Sequence, residues 1–191
     1  MSTVTRYFRL MEDVRAGSWF LGDLLDETGQ AFEDFWRFSE GGPVPSVGRL
    51  KSPIEAPGTP LDFSSAGVGM TPILHLRLAA IFAELAPEDV QLVPVEVKGC
   101  SDPYVMLVAT KLIRCIDEKS SREVLFYLPE DELPELVGPY RSVAGMRIDP
   151  TRVGSARVFR TWGWSTGLIV SEAIKTALAF ARVTGAAFED V

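Results

Sequence analysis

The chain has 191 residues, of which 47% are hydrophobic and 24% are charged, and its formal net charge is −7. These values are typical of a folded globular protein and exclude a disordered or collagen-like chain. No segment approaches the ~18 uncharged apolar residues that a membrane helix needs. Glu12 and Asp13 stand where a signal peptide would have its apolar core, so we expect a cytoplasmic protein without a membrane partner.

The charge is unevenly distributed along the chain. Three segments, 20–36, 84–96 and 130–135, are acidic, and segment 141–160 carries five arginines against Asp149 alone. An acidic surface repels nucleic-acid backbones and attracts basic proteins, so we expect no direct contact with nucleic acid. Acidic clusters also keep small proteins soluble, and composition alone does not separate these two interpretations.

Few groups are available for nucleophilic or metal chemistry. His75 is the single histidine and lies near the start of a predicted apolar helix, which favours a structural role. Cys100 and Cys115 stand at the two ends of a predicted strand over 103–117. At ~3.3 Å per residue they are too far apart for a disulfide, so we expect two reduced thiols. We expect no catalytic residue, no cofactor and no metal site.

One pattern resembles the acid, acid-x-lysine arrangement of a large nuclease superfamily. Asp89, Glu96 and Lys98 supply it, and that chemistry needs both carboxylates on one metal ion. Along a single strand at ~3.3 Å per residue the two acids are roughly 23 Å apart, so the pattern does not favour a nuclease. The 26 acidic residues still leave an enzyme with another carboxylate pair as an open alternative.

In chain order, the first predicted element is a half-buried strand over 6–10, where apolar residues alternate with arginines. Residues 18–26 are a second strand candidate, and 31–38 are ambiguous between a strand and a short amphipathic turn. Residues 41–72 are rich in glycine and proline and predict a long irregular connection. The apolar residues within it place it against the body of the protein; they are Leu50, Ile54, Leu61 and Phe63.

A helix follows Pro72, and Pro87 marks its end. Residues 91–98 alternate as a strand in which Pro94 indicates an edge position or a bulge. This strand and 103–117 predict a hairpin, with 103–117 as a central strand. Further strands are predicted at 124–128, 140–149 and 156–162, the last two joined by a turn at 150–154. The apolar stripe of the helix is Leu74, Leu78, Phe82 and Leu85.

The chain ends in a second helix, capped by Ser171, and a last strand. The units 71–98 and 168–191 align at an offset of 96 residues, which either an internal repeat or chance explains. We expect an α+β fold with a mainly antiparallel sheet, two principal helices packed on one face, and a strand- and loop-rich N-terminal part. We expect one domain over 1–191, with 1–70 as an alternative N-terminal subdomain.

The C-terminal run 159–191 resembles the end of a family of bacterial immunity proteins. This family is numbered eleven among the immunity proteins of polymorphic-toxin systems and was formerly a domain of unknown function. Its members commonly end in a pattern LIVSEEIKxALE…TGxxFxxV, which residues 168–175 and 184–191 follow here. The segments 85–97 and 108–124 are also similar to relatives from myxobacteria.

The resemblance implies an intracellular protein that binds and neutralises a cognate toxin, commonly a nuclease, in interbacterial competition or kin discrimination. The toxin would be basic and encoded next to this protein, and acidic loops with nearby aromatics would cover its active site. The expected contacts are Glu130, Asp131, Glu132, Glu135, Asp23, Asp26, Glu27, Trp36 and Trp164. The tryptophans have core packing as their alternative role. The alternative function is a non-catalytic interaction module of another regulatory complex.

Overall fold

The computed structural model describes residues 5–131, 133 and 138–191. Within these ranges the chain forms two helices, two large sheets and a separate pair of strands. The helices are α1 (Leu76–Leu85) and α2 (Glu172–Phe180). The strands are β1 (Tyr7–Glu12), β2 (Phe20–Leu21), β3 (Leu50–Ser52), β4 (Ile54–Ala56), β5 (Phe63–Ala66), β6 (Thr71–His75), β7 (Val90–Val97), β8 (Tyr104–Ala109), β9 (Leu112–Ile113), β10 (Glu123–Phe126), β11 (Tyr140–Ala144), β12 (Val158–Thr161), β13 (Trp164–Ser171) and β14 (Ala186–Asp190).

The larger sheet has the strand order β3-β7-β8-β6-β5-β2-β4, and the smaller one has the order β14-β1-β13-β12-β9. Strands β10 and β11 pair separately. Most neighbours are antiparallel; β3 with β7, β2 with β5, and β9 with β12 are parallel. The predicted α+β class with mainly antiparallel pairing is confirmed. The strands expected in one sheet form two large sheets instead.

The two large sheets share one arrangement. In each, a strand leads directly into a helix, and the chain then forms a second strand in the same sheet. One other strand lies between these two and is antiparallel to both. That neighbour is β8 in the unit β6-α1-β7 and β1 in the unit β13-α2-β14. The helix starts, Leu76 and Glu172, are 96 positions apart, and so are the following strand starts, Val90 and Ala186. The offset found in the sequence therefore matches the architecture, which favours the internal repeat.

The helices pack against each other over a core that both sheets share. Leu78 and Phe82 of α1 meet Ile174 and Leu178 of α2 in this cluster, and all four are buried. Each such side chain contributes about 1.5–3 kcal/mol on leaving water. Strand β8 is buried on both faces, since alternate residues enter this core and a second one behind the larger sheet. This confirms the predicted central strand where it starts.

Helix α1 begins two residues later than the apolar stripe predicts. Leu74 belongs to β6, where it pairs with Phe63 and with Val105. Val170, which the 96-residue offset aligns with Leu74, likewise belongs to β13. Both residues belong to strands and not to helices because an apolar side chain can face this core from either element. Their pairing with neighbouring strands decides between the two.

The predicted strand 103–117 is wrong beyond Ala109. The Thr110 amide donates to the Asp89 carbonyl at 2.8 Å, and the chain then crosses to the smaller sheet as β9. Cys100 and Cys115 are both free. The two strands predicted within 140–149 and 156–162 are present as β11 and β12. They are not neighbours, because β11 pairs with β10 whereas β12 lies between β13 and β9.

The glycine- and proline-rich segment 41–72 is more regular than predicted, since it contains β3, β4 and β5 and the start of β6. Its packing against the body is confirmed by buried Leu50, Leu61 and Phe63. Of the strand candidate 18–26, only Phe20–Leu21 forms a strand, β2, and Ser18 and Leu25 form isolated bridges. Pro94 lies at an edge as predicted, because β3 pairs only with Val95–Val97 of β7. No helix among the described residues is long and apolar enough to cross a membrane.

Candidate binding surfaces

The turn between β5 and β6 projects exposed apolar side chains. Val68 and Met70 are 64% and 53% exposed, and Met70 has a φ of +47°. Asp23 holds the turn, because its Oδ1 atom accepts a hydrogen bond from the Val68 amide at 2.9 Å. At Gly67, which has a φ of +59°, a Cβ atom would lie 1.9 Å from that same oxygen. The turn therefore needs a glycine beside Asp23.

A short 3-10 helix, Phe35–Phe38, lies against this turn. Asp34 begins it by accepting a hydrogen bond from the Trp36 amide at 3.0 Å. Phe38 is buried, whereas Phe35 and Trp36 are 36% and 41% exposed, with ring centroids 5.2 Å apart. A Cβ atom at Gly69 would lie 2.4 Å from the Phe35 carbonyl oxygen, so the two segments are in direct contact.

Together these segments form a surface that we call the hairpin surface. Its exposed apolar residues are Phe35, Trp36, Val68 and Met70, and its acidic residues are Asp23, Glu33 and Asp34. Arg37 is the one basic residue in segment 20–40, and its guanidinium lies over the rings of Phe32 and Phe38, at 5.0 and 5.4 Å. Large aromatics with a charged rim are typical of protein-binding surfaces.

A second exposed apolar surface follows β10, and we call it the β10 surface. Its apolar residues are Leu125, Phe126, Leu128 and Leu133, which are between 39% and 49% exposed. Asp131 accepts a hydrogen bond from the Leu128 amide at 2.8 Å and lies 3.6 Å from Arg141, which offsets part of its charge. Glu130 is exposed. Glu132 and Glu135 lie outside the described residues.

Two more of the predicted contact residues, Asp26 and Glu27, have structural contacts of their own. Asp26 Oδ1 accepts hydrogen bonds from the Thr28 hydroxyl, the Thr28 amide and the Gln30 amide, at 2.6–3.0 Å. The Thr28 hydroxyl is the main cause of the lowered pKa of Asp26. Glu27 is exposed, and a Cβ atom at Gly48 would lie 3.1 Å from its Oε2 atom.

Trp164 is half-buried at the start of β13 and packs on a third core cluster, which favours its structural role. The turn before it is close to the β10 surface. The Tyr140 amide donates to the Gly163 carbonyl at 3.1 Å, and the Tyr140 ring lies 5.1 Å from the Phe126 ring. The structure thus places the Trp164 turn against Tyr140, which packs on Phe126 of the β10 surface. It also places Asp23 and Phe35 against the same β5–β6 turn.

The residues of the nuclease-like pattern have separate environments. Asp89 is buried and accepts hydrogen bonds from the amides of Arg157 and Val158, at 2.7 and 3.4 Å. Glu96 is exposed near the far end of β7. His75 caps α1, since its Nδ1 atom accepts from the Arg77 amide at 3.1 Å. Among the residues with described positions, no group of three or more His, Cys, Asp or Glu side chains is placed to hold a metal ion.

Sequence reasoning missed Phe35, Val68 and Met70. Phe35 adjoins Trp36, and its exposure depends on which residues of the 3-10 helix enter the core. The signal for Val68 and Met70 is two apolar residues within a glycine-rich segment, a composition that tight turns share. Only the contact between this turn and the 3-10 helix makes them one surface.

The comparisons with known proteins address the family. A search of curated proteins finds no match to this chain. A model of the Immunity protein family (Imm11) matches residues 23–191, which include the hairpin surface, the β10 surface and both helix–strand units. The chain therefore belongs to the Immunity protein family (Imm11), as its C-terminal pattern predicts.

Proposed function

We propose that this immunity protein binds and neutralises a cognate protein toxin in the cytoplasm, without catalysing a reaction itself. Membership of an immunity family supports a toxin as the partner. The hairpin surface is the observation that carries the binding mode, because its four exposed apolar side chains come from two segments whose backbones are in contact. Small monomeric proteins rarely expose such a patch without a partner.

The charge of the hairpin surface indicates the kind of toxin. Asp23, Glu33 and Asp34 border the apolar side chains. The guanidinium of Arg37 packs over the rings of Phe32 and Phe38. Such a rim attracts a basic partner and speeds its association. Proteins that act on nucleic acids carry basic surfaces that bind the phosphate backbone. We therefore propose a nuclease toxin, encoded by the adjacent gene, whose active site this surface covers during competition or kin discrimination between bacteria.

Coexpression with the product of the adjacent gene tests the proposed function. Cells that make this product alone should stop growing, and cells that also make the immunity protein should grow and yield a complex on purification. A neighbouring product that remains fully toxic in the presence of the immunity protein would contradict the proposal for that pair. A partner that binds but is harmless alone would instead support the alternative interaction module.

Substitutions then test the surface separately from the function. Trp36→Ala combined with Glu33→Lys should weaken the complex at least 100-fold, since an aromatic anchor and a rim charge are both lost. Phe180→Ala combined with Glu84→Lys is the matched control, because Phe180 is 91% exposed at the end of α2 and Glu84 is exposed on α1. An unchanged affinity in the first variant would exclude the hairpin surface while leaving the immunity role intact.

The β10 surface is the second candidate contact, and its described acids are Glu130 and Asp131. Glu132 and Glu135, which follow them in the sequence, stay predicted contacts. Reversing the charges of Glu130 and Asp131 should lower the association rate at low salt if the toxin approaches there. An unchanged rate at low salt would exclude this loop. Leu128→Ala gives the same comparison for the apolar part, since Leu128 is 49% exposed.

We also propose that the chain acts as one domain. Strand β1 lies between β13 and β14, so the two ends of the chain share one sheet. Strands β2 to β5 extend the sheet that contains β6, β7 and β8. This arrangement supports one domain over a separate N-terminal subdomain at 1–70.

A further inference from the structure

Arg160 on β12 is a buried positive charge. Its side chain is only 2% exposed, and its Nη1 atom donates to the carbonyls of Ser165 and Thr166 at 3.2 and 3.1 Å. Its Nε and Nη2 atoms have no hydrogen-bond partner among the residues that the structure describes. Burial, together with the like charge of Arg9, lowers the pKa of Arg160 to about 10, so the guanidinium is still protonated at neutral pH.

A small cavity adjoins this side chain. It has a volume of about 20 Å³ and lies where β1 and β5 of the two large sheets approach each other. A cavity of ~10–15 Å³ accommodates one water-sized particle, so this space has room for a single small species. The residues that line it include Arg9, Ser65, Met70, Arg160, Thr166 and Leu168.

Two arginines line the cavity, and within the described residues a carboxylate lies at ion-pair distance from Arg9 alone. Arg160 forms no ion pair within the described part of the chain, and Arg9 lies 3.7 Å from Glu189 at the sheet edge. The nearby acid is Glu12, but its Oε2 atom already accepts from the Ser65 amide at 2.9 Å. Burial raises the pKa of Glu12, and the hydrogen bond from the Ser65 amide opposes this shift.

We propose that this cavity binds one halide ion, chloride in the cell, between the guanidinium groups of Arg160 and Arg9. A halide accepts several N–H donors at once and supplies the missing negative charge, whereas a water molecule leaves the buried charge uncompensated. The strands that contribute the cavity, β1, β5, β6, β12 and β13, come from both large sheets. The ion would therefore stabilise the junction between the sheets. This inference does not depend on the proposed toxin.

Bromide and thermal unfolding test the site with two independent measurements. Crystals of the whole protein grown in sodium bromide should show an anomalous peak within hydrogen-bond distance of Arg160 Nε and Nη2. The unfolding midpoint should be about 2–5 °C higher in sodium chloride than in sodium gluconate of equal ionic strength. Arg160→Met should abolish this difference; if that variant does not fold, Arg9→Met should reduce it, and Lys98→Met at an exposed position should not.

Three outcomes would overturn the proposal. The first is electron density for a water molecule without anomalous signal, together with equal midpoints in the two salts. The second is an adventitious ion only, which is a bromide peak without any chloride-specific stabilisation. The third is an ion pair between Glu12 and Arg160, revealed by a loss of stability in Glu12→Gln that chloride does not restore.

Discussion

At the scale of single residues, Asp62 has the most connected side chain outside the two surfaces. Its carboxylate accepts hydrogen bonds from Arg77 in the first turn of α1 and from the amide and hydroxyl of Thr184 after α2. Arg77 also donates to the Ala181 carbonyl at 3.1 Å. Burial alone would raise the pKa of Asp62, but the hydrogen bonds from Arg77 and Thr184 outweigh it and lower the pKa to about 2.

This pKa predicts how stability depends on pH. Because the pKa is lower in the folded protein than in the unfolded chain, Asp62 stabilises the fold above about pH 4, and this contribution disappears as the pH falls towards about 2. Asp62→Asn should lower the free energy of unfolding at pH 7 by about 2 kcal/mol and flatten the loss between pH 4 and 2. Urea titrations at several pH values measure both effects.

Asp102→Asn, at an exposed position in the β7–β8 turn, is the control and should change neither quantity. A loss of stability in Asp62→Asn that is the same at pH 7 and pH 2 would show that the carboxylate charge is not what holds the two helix ends together.

At the scale of elements, the β5–β6 turn couples the larger sheet to the hairpin surface. Gly67 is required twice, by its φ of +59° and by its contact with Asp23. Gly29 has a similar positive φ of +88° but no atom within 4 Å of the place that a Cβ would occupy. Comparing substitutions at Gly29 and Gly67 therefore separates the energetic cost of backbone strain from that of steric contact with Asp23.

Gly29→Ala should cost about 1–2 kcal/mol, which is the strain of a left-handed residue. Gly67→Ala should cost about 3 kcal/mol or more, because Asp23 must also move and the turn then loses its hydrogen bond to Val68. Chemical denaturation of the two variants and of the natural protein measures the difference. Equal costs would mean that Asp23 moves aside freely and does not hold the turn.

At the scale of the whole molecule, the central position of β1 predicts cooperative unfolding. Trp19 and Trp36 belong to the first part of the chain, and Trp162 and Trp164 to the last. Unfolding followed by far-UV circular dichroism and by tryptophan fluorescence should give one midpoint, since β1 lies between two C-terminal strands. Residues 1–70 expressed alone should remain unfolded. Two separate midpoints would indicate an independent N-terminal subdomain.

The local sequence pattern was sufficient to predict those elements whose periodicity fits either a strand or a helix but not both. β1, the β7–β8 hairpin, α2 and β14 all follow from alternation, helical stripes and breakers in the sequence. The C-terminal pattern was also sufficient for the family, because it is carried by consecutive residues. The 96-residue offset was visible as well, although sequence could not separate a repeat from chance.

The tertiary structure decided what depends on contacts between distant segments. It assigned Leu74 and Val170 to strands, because an apolar residue satisfies a helical stripe and a sheet face equally well, and pairing partners settle the choice. It also brought Val68 and Met70 beside Phe35, and left Arg160 buried without a counter-charge. Composition and periodicity by themselves determined the class of the fold, and the resemblance of the C-terminal pattern determined the family. The packing of the chain decided which acids border an exposed apolar surface, since exposure is a property of the folded chain and not of the residue type.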